Sequence, residues 1–451
     1  MAVVCDRPLA ERAVGGAKAP DAPSPSPVRR PSLQGAVVLF DEGLCSVTNF
    51  VAGVLVARAC VKSQYGLYVL GFSILTMAQL VMRSCVSVPY TVNSPSMREG
   101  RREAYFTGSL FQAMLMAVLV AGATAVAGLY FNAAHPGEGI GPVLLALSAI
   151  MPCVMIRDFV RSSLLARLRV LASFAIGQVA NACTLSILVW MYASETISVS
   201  WAYAAIGACS VVAAGAMLLS ERRVWRTSPA RIIADIADNW RTGRWTLAAV
   251  LAGNISMRAM PWLVLLWCGR TEVASFGAMM AIAALAGPVV RGIGTYMAPK
   301  LANDCARKGP QAAIDAAKLV VKTVAVVSIA YVAGLFVWGE NIVSLVFSES
   351  YLGCTGVLTL LAVAAALDAM LTPLRSLLRA LRRPHVEFRG TLWGAAAGLG
   401  LSVLLIPREG ITGAAIGLIG CKLLALSVCL VEALRAGNAG TASTRRLVVE
   451  A

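Results

Sequence analysis

Twelve stretches of this chain are each apolar and long enough, or nearly so, to cross a membrane as a helix. They lie at 35–57, 66–90, 105–130, 140–156, 170–191, 199–220, 245–268, 272–298, 316–338, 353–375, 390–406 and 411–434. A hydrocarbon layer of ~30 Å takes roughly 20 apolar residues in helical form. Inside lipid every backbone N–H and C=O must be satisfied within the segment, so each stretch is expected to be a helix. The composition agrees: 58% of residues are apolar and 14% charged, with a mean hydropathy of +0.74, far from a soluble domain. The expected fold class is an all-α polytopic membrane protein of about twelve transmembrane helices.

The positive charges fall on one set of connections. Arg98, Arg101 and Arg102 follow the second segment, and Arg157, Arg161, Arg167 and Arg169 follow the fourth. Further Lys and Arg follow the sixth, eighth and tenth, whereas the alternate connections hold only Arg58, Lys62, Arg270 and Arg408. By the positive-inside rule the cation-rich set is cytoplasmic, which puts both termini inside. A net charge of +16 is thereby assigned to helix ends beside anionic headgroups, so membrane lipids and not nucleic acid are the expected partners. The twelve Cys contain no CxxC pair and sit mostly in apolar runs, as packing residues and not metal ligands.

Five regions follow. Residues 1–34, rich in Pro and lacking an apolar core, are expected to form a disordered cytoplasmic tail and not a signal peptide. Residues 35–220 form a first six-helix bundle, 221–244 a cytoplasmic linker, 245–435 a second six-helix bundle and 436–451 a cytoplasmic tail. In the linker Ile232, Ile233, Ile236 and Trp240 recur at helical spacing opposite Asp235 and Asp238, which predicts an amphipathic helix lying along the inner surface. The halves share an Asn in each opening helix, Asn49 and Asn254. They also share an aromatic-Gly pair at the start of each second helix, Tyr65-Gly66 and Phe276-Gly277.

Charges inside the spans are the candidate functional residues, because each costs ~2.5 to 3.5 kcal/mol even on a lenient insertion scale. They are Asp41, Glu42, Arg83, Arg258, Arg291, Asp368 and Lys422. At 1.5 Å per residue, Asp41 and Arg83 both come out ~10 Å deep on consecutive helices, which predicts an ion pair; Arg291 and Asp368 fall at ~13 and ~10 Å. Arg258 and Lys422 lie at ~20 Å with no acid at matching depth, which points to a hydrated cavity and an anion site. A buried pair fixing helix packing, or snorkelling to the interface, is the competing structural account of each charge. Asn254 shares a face with Arg258, and Pro261 is placed to bend the helix just beyond them. The two histidines, His135 and His385, fall in loops without a nucleophile or ligand spacing, so no catalytic residue, metal or enzymatic activity is expected.

The first hairpin, FDEGLCSVTNFVAGVLVARACVKSQYGLYVLGFSIL, resembles the multidrug/oligosaccharidyl-lipid/polysaccharide (MOP) exporter superfamily, in its polysaccharide and O-antigen flippase-like branch. The likeness rests on Asp41, Thr48-Asn49-Phe50, Val56-Ala57-Arg58 and Tyr65-Gly66, and it extends over most of residues 36–435; ARLRV departs from it by lacking a Gly-Arg-Pro. The resemblance implies two six-helix bundles around a central cleft with alternating access, and a polyprenyl-pyrophosphate-linked oligosaccharide as substrate for extracellular polysaccharide or O-antigen biosynthesis. Enzymes of that biosynthesis are implied partners. Arg258, Arg291, Lys422, Arg83 and Asn254 would then line the substrate site, since guanidinium and ammonium groups bond phosphate oxygens well. Two roles stay open for Asp41 and Asp368: holding these cations when substrate is absent, or binding a coupling H⁺ or Na⁺. No other cofactor is implied. A cation-coupled multidrug exporter of the same superfamily and a membrane glycan polymerase or ligase are the alternatives.

Overall fold

The computed structural model describes residues 33–220, 228–381 and 383–449; the expected tail at 1–34 therefore lies, through residue 32, outside the described residues. Twelve helices follow in order: α1 Leu33–Ala59, α2 Lys62–Ser96, α3 Glu99–Ala134, α4 Ile140–Ala166, α5 Val170–Ala193 and α6 Val199–Ser220. The second half opens with α7, Pro229–Cys268. α8 covers 270–308, interrupted by a 3-10 turn at Ala284–Ala286. Then come α9 Pro310–Val346, α10 Thr355–Ala380, α11 Pro384–Glu409 and α12 Ile411–Val449. Among the described residues eleven helices have the length and apolarity of a membrane span, and α6, apolar over Val199–Gly215, supplies the shorter twelfth. Single glycines in left-handed conformation, Gly269 at φ 81° and Gly309 at φ 85°, reverse the chain into α8 and α9, where a side chain would strain the backbone.

The helices form two six-helix bundles around a central cleft, as expected for the fold class. Within the first lobe α4 packs on α2, α3, α5 and α6; within the second α12 packs on α10 and α11. Fully buried side chains such as Phe159, Met151 and Tyr203 fill the first lobe. Large apolar residues on the outer helix faces, among them Val118, Phe336 and Leu404, are exposed, as a lipid solvent allows.

The lobes meet in two places of different chemistry. At the cation-poor end α2 crosses α8 so closely that a Cβ on Gly66 would stand 2.1 Å from the Arg270 carbonyl oxygen, and one on Gly277 would meet Val69 at 2.4 Å. The paired aromatic-Gly motifs of the two halves are thus spent on one helix crossing, where only glycine lets backbones approach this far. Arg58 Nε donates to the Val346 carbonyl at 2.8 Å, Lys62 Nζ to that of Ser350 at 3.2 Å, and Arg270 to that of Glu138. Tyr65, Phe347 and Tyr351 close an aromatic cluster over this seam.

At the cation-rich end the contact is made by α7, and here the structure differs from the sequence expectation. Of the segment expected to lie along the surface, residues 221–227 lie outside the described residues and the remainder opens α7, with Asp235 facing protein and Asp238 exposed. Asp235 and Asn239 are buried to 1% and 0% exposure, while Ile233 and Trp240 are exposed. The physical reason is that lipid accepts the isoleucines, whereas an Asp in a membrane-level helix needs a partner, and α3 supplies Arg101 in a two-bonded fork. Asn239 accepts from Tyr105 and donates to Gln112 Oε1 at 2.8 Å and Ser109 Oγ at 3.4 Å. Farther along, α7 packs on the second lobe, with Ser256 donating to the Ala395 carbonyl at 3.4 Å, so one helix joins both lobes. At the chain end α12 stays helical to Val449, into the stretch read as a polar tail.

Candidate functional site

Pro89 shapes the first part of the site. Its ring lacks an N–H and would collide with the carbonyl four residues back, that of Cys85, and the helix answers by widening into a π-turn over Arg83–Ser87. The Cys85 carbonyl is then reached by Gln112 Nε2 at 3.5 Å, and Gly243 of α7 fits against the bulge, where a Cβ would stand 2.9 Å from the Cys85 Cα. Arg83 stands at the start of this turn with half its side chain exposed at mid-helix.

Arg83 does not pair with Asp41. Its guanidinium lies 3.7 Å from Asp158 of α4, a residue 4% exposed that also takes Gln79 Nε2 at 2.7 Å and Arg157 at 3.4 Å. Asp41 is bound instead by Arg161 of α4 and by Gln178 Nε2 of α5 at 2.6 Å. The predicted pair fails because α4 runs on to Ala166, well past its last continuous apolar stretch, and carries Arg157, Asp158 and Arg161 into the lobe. Three guanidiniums thus surround two carboxylates. Apolarity alone puts Arg157, Asp158 and Arg161 beyond the fourth span; the helical spacing of Asp158 and Arg161 is the signal that places them on one helix face.

The second lobe has a matching arrangement. Lys422 of α12, expected to lack an acid at its depth, donates to Asp368 Oδ1 of α10 at 2.8 Å, and Arg375 lies 3.8 Å from the same oxygen. Because α10 continues to Ala380, Asp368 sits ~18 Å from that end and not ~10 Å. Beyond it Glu387 takes Arg379 Nε at 2.8 Å, and Arg375 stands 3.9 Å away. Each lobe therefore holds one intramembrane aspartate between two cations, Asp158 between Arg83 and Arg157, and Asp368 between Lys422 and Arg375.

Arg258 is set apart from both clusters. It lines a cavity of about 360 Å³ between α2, α3 and α7, and Lys422 is not in that cavity's wall. Its Nε is enclosed without a hydrogen-bond partner. Asn254, expected beside it in the site, donates at 2.9 Å to the Val250 carbonyl one turn back and does not line that cavity. The Arg291 side chain lies outside the described residues; its backbone belongs to α8. Among the described residues no group of His, Cys, Asp or Glu is placed to hold a metal ion.

No family model and no curated protein matches the chain. Solved structures do. An inward-facing MATE-family multidrug resistance transporter of the MOP superfamily superposes with a TM-score of 0.74 at 16% identity, over 87% of this chain and 95% of that one. The lipid II flippase MurJ in an inward closed conformation gives 0.73 at 10% identity, over 90% of each chain. An outward-facing MATE-family transporter gives 0.63 at 15% identity, over 90% of this chain and 96% of that one. At these identities the likeness establishes the fold.

Proposed function

We propose that this chain is an alternating-access transporter that carries a polyprenyl-pyrophosphate-linked oligosaccharide across the cytoplasmic membrane, its cation-rich end and both termini on the inner side. The observation that carries the reading is the pair of two-cation aspartate sites, one in each lobe, with Arg83 half exposed in one and the Asp368 carboxylate more than a third exposed in the other. A carboxylate shared by two cations leaves a local positive excess that an arriving phosphate can take up, because each guanidinium or ammonium keeps unused donors. In the absence of substrate the aspartates keep these cations from being unpaired in the membrane. That arrangement favours the cation-holding role of Asp368, and of Asp41 with Arg161, over a coupling-ion role. A cationic drug would meet repulsion at both sites, which argues against the multidrug alternative.

Reconstituted vesicles provide the test. Uptake of a fluorescent isoprenoid-pyrophosphate saccharide, and of a cationic dye for comparison, is followed for the native chain, Arg83→Ala and Arg157→Ala. The saccharide lipid should cross only with the native chain, and each variant should lose at least about tenfold in rate, the value of one charge-assisted bond in a dry site. Dye transport without saccharide transport would replace this reading with the multidrug one.

A further inference from the structure

We propose that a groove open to the side between α3 and α7, floored by α2, binds the isoprenoid chain of a phosphate-headed lipid, with Arg258 holding the phosphate. α3 and α7 are tied together at the cation-rich end by Asp235, Asn239 and their partners. Farther along, the cavity of about 360 Å³ separates them, walled by Ile74, Met77 and Val81 of α2, Val120 of α3, and Ala259 and Trp262 of α7. A second cavity of about 320 Å³ shares Ile74, Val120 and Trp262 with it and continues over Phe131 and Leu144 toward the cation-poor end. Together they form an apolar trough along the seam between the lobes, ending at a cation.

The polar atoms of that trough, with one exception, are already occupied. Ser73 Oγ donates to the Leu70 carbonyl at 2.7 Å and accepts from Trp262 Nε1 at 2.8 Å, and Thr124 donates to the Val120 carbonyl at 2.8 Å. Arg258 is the exception, with its Nε enclosed and unpartnered. It stands ten residues from the end of α7, ~15 Å along the helix and so near mid-membrane, where snorkelling to an interface is hardest. An apolar trough alone would accept any acyl chain; the guanidinium at its end selects one that brings an anion, and a phosphate ester matches its fork. Neither cavity is lined by Asp158, Asp368 or the cations beside them, so the groove is separate from the two-cation sites of the proposed transport path. A lipid held here would keep its chain in the bilayer with its phosphate at the mouth of the cleft, which deepens the transport reading and rests on it for biological meaning.

The binding test needs no transport. The full-length chain in nanodiscs of zwitterionic lipid is labelled with a photoactivatable isoprenoid phosphate, with the matching isoprenoid alcohol, and with the phosphate probe plus excess inorganic phosphate. The phosphate probe should label the segments containing Met77 and Ala259. Labelling should fall by about tenfold or more in Arg258→Met, to the level given by the alcohol, and partly recover in Arg258→Lys. Arg258 has no partner to lose, so Arg258→Met should not lower the melting midpoint of the protein, and Ala259→Trp, which fills the trough but keeps the charge, should also abolish labelling. Equal labelling of the native chain and Arg258→Met, labelling confined to other segments, or displacement by inorganic phosphate would each overturn the groove. Retained labelling with no movement of saccharide lipid would instead leave the groove standing and remove the transport reading.

Discussion

The two ends at which the lobes touch are built from different materials. At the cation-poor end, glycine lets backbone meet backbone, and cations of one lobe reach carbonyl oxygens of the other: Arg58 to Val346, Lys62 to Ser350. At the cation-rich end side chain meets side chain, in a buried cluster of Asp235 and Asn239 with Arg101, Tyr105, Ser109 and Gln112. A carbonyl that loses its guanidinium at an exposed rim is re-solvated by water, so the first seam can part at moderate cost. A buried amide and carboxylate stripped of partners have no such recourse. The cluster at the start of α7 therefore ties that stretch to the first lobe more firmly than the other seam joins the two lobes.

The largest effect is expected from breaking the buried cluster. Asn239→Leu would leave the Tyr105 O–H without its acceptor and Gln112 Oε1 without its donor in a fully buried place, for about 3 kcal/mol at ~1 to 3 for each stranded group. Thermal unfolding in detergent reports the loss, and spin-label distances between α3 and α7 should lengthen; unchanged distances would mean the cluster is not what joins them.

Gly66→Ala comes next. Its Cβ would lie 2.1 Å from a backbone oxygen, and overpacking of this kind costs ~1 to 3 kcal/mol. A disulfide between cysteines placed at Lys62 and Ser350 should form readily in the native background and poorly in the Gly66→Ala variant. Efficient cross-linking in both would show that the helix crossing does not set this seam.

Between the seams, the lobe interior is sharpened by a pair of mutant cycles. Asp41 and Arg161 should couple by ~1 to 2 kcal/mol, whereas Asp41 and Arg83 should be additive within ~0.5 kcal/mol. Coupling of Asp41 to Arg83 instead would restore the pairing that depth counting suggests. The smallest effect belongs to the exposed rim: Arg58→Gln should cost under ~1 kcal/mol, because water takes the place of the lost bonds. A loss as large as that of Asn239→Leu would erase the distinction between the two seams.

Much of the fold was legible in the sequence, and the errors at the site share one cause. Apolarity located every span, because hydrocarbon thickness is read locally from ~20 residues. It misplaced where helices stop. α4 and α10 run beyond their apolar stretches, to Ala166 and Ala380, since a helix can continue wherever protein or headgroups, and not lipid, meet its side chains. Depths counted from the apolar edge pair Asp41 with Arg83; counted from the helix ends Asp41 and Asp158 lie ~12 Å in and Arg161 ~8 Å, whereas Arg83 lies ~20 Å in. Asp368 likewise meets Lys422 across helices whose depths the apolar edges do not give. In the linker, the helical period of Ile232, Ile233, Ile236 and Trp240 was real, but which side of an amphipathic helix turns inward depends on whether lipid or protein lies there.

What the sequence determined by itself was the number and order of the membrane helices, because those follow from the length of each apolar run and hold whatever the neighbours are. It also singled out Asp41, Arg83, Arg258, Asp368 and Lys422 as charges in need of an account, since a charge at that depth is costly in any arrangement. Only the tertiary structure decided which of them are answered. Asp368 closes on Lys422 and Asp158 on Arg83 because α10 meets α12 and α2 meets α4, contacts between helices distant along the chain. Arg258 is left facing an apolar groove because α3 and α7, joined at one end by Asp235 and Asn239, stand apart beside it. Ion pairing is set by distances of a few ångströms between helices, and no spacing within one helix contains them.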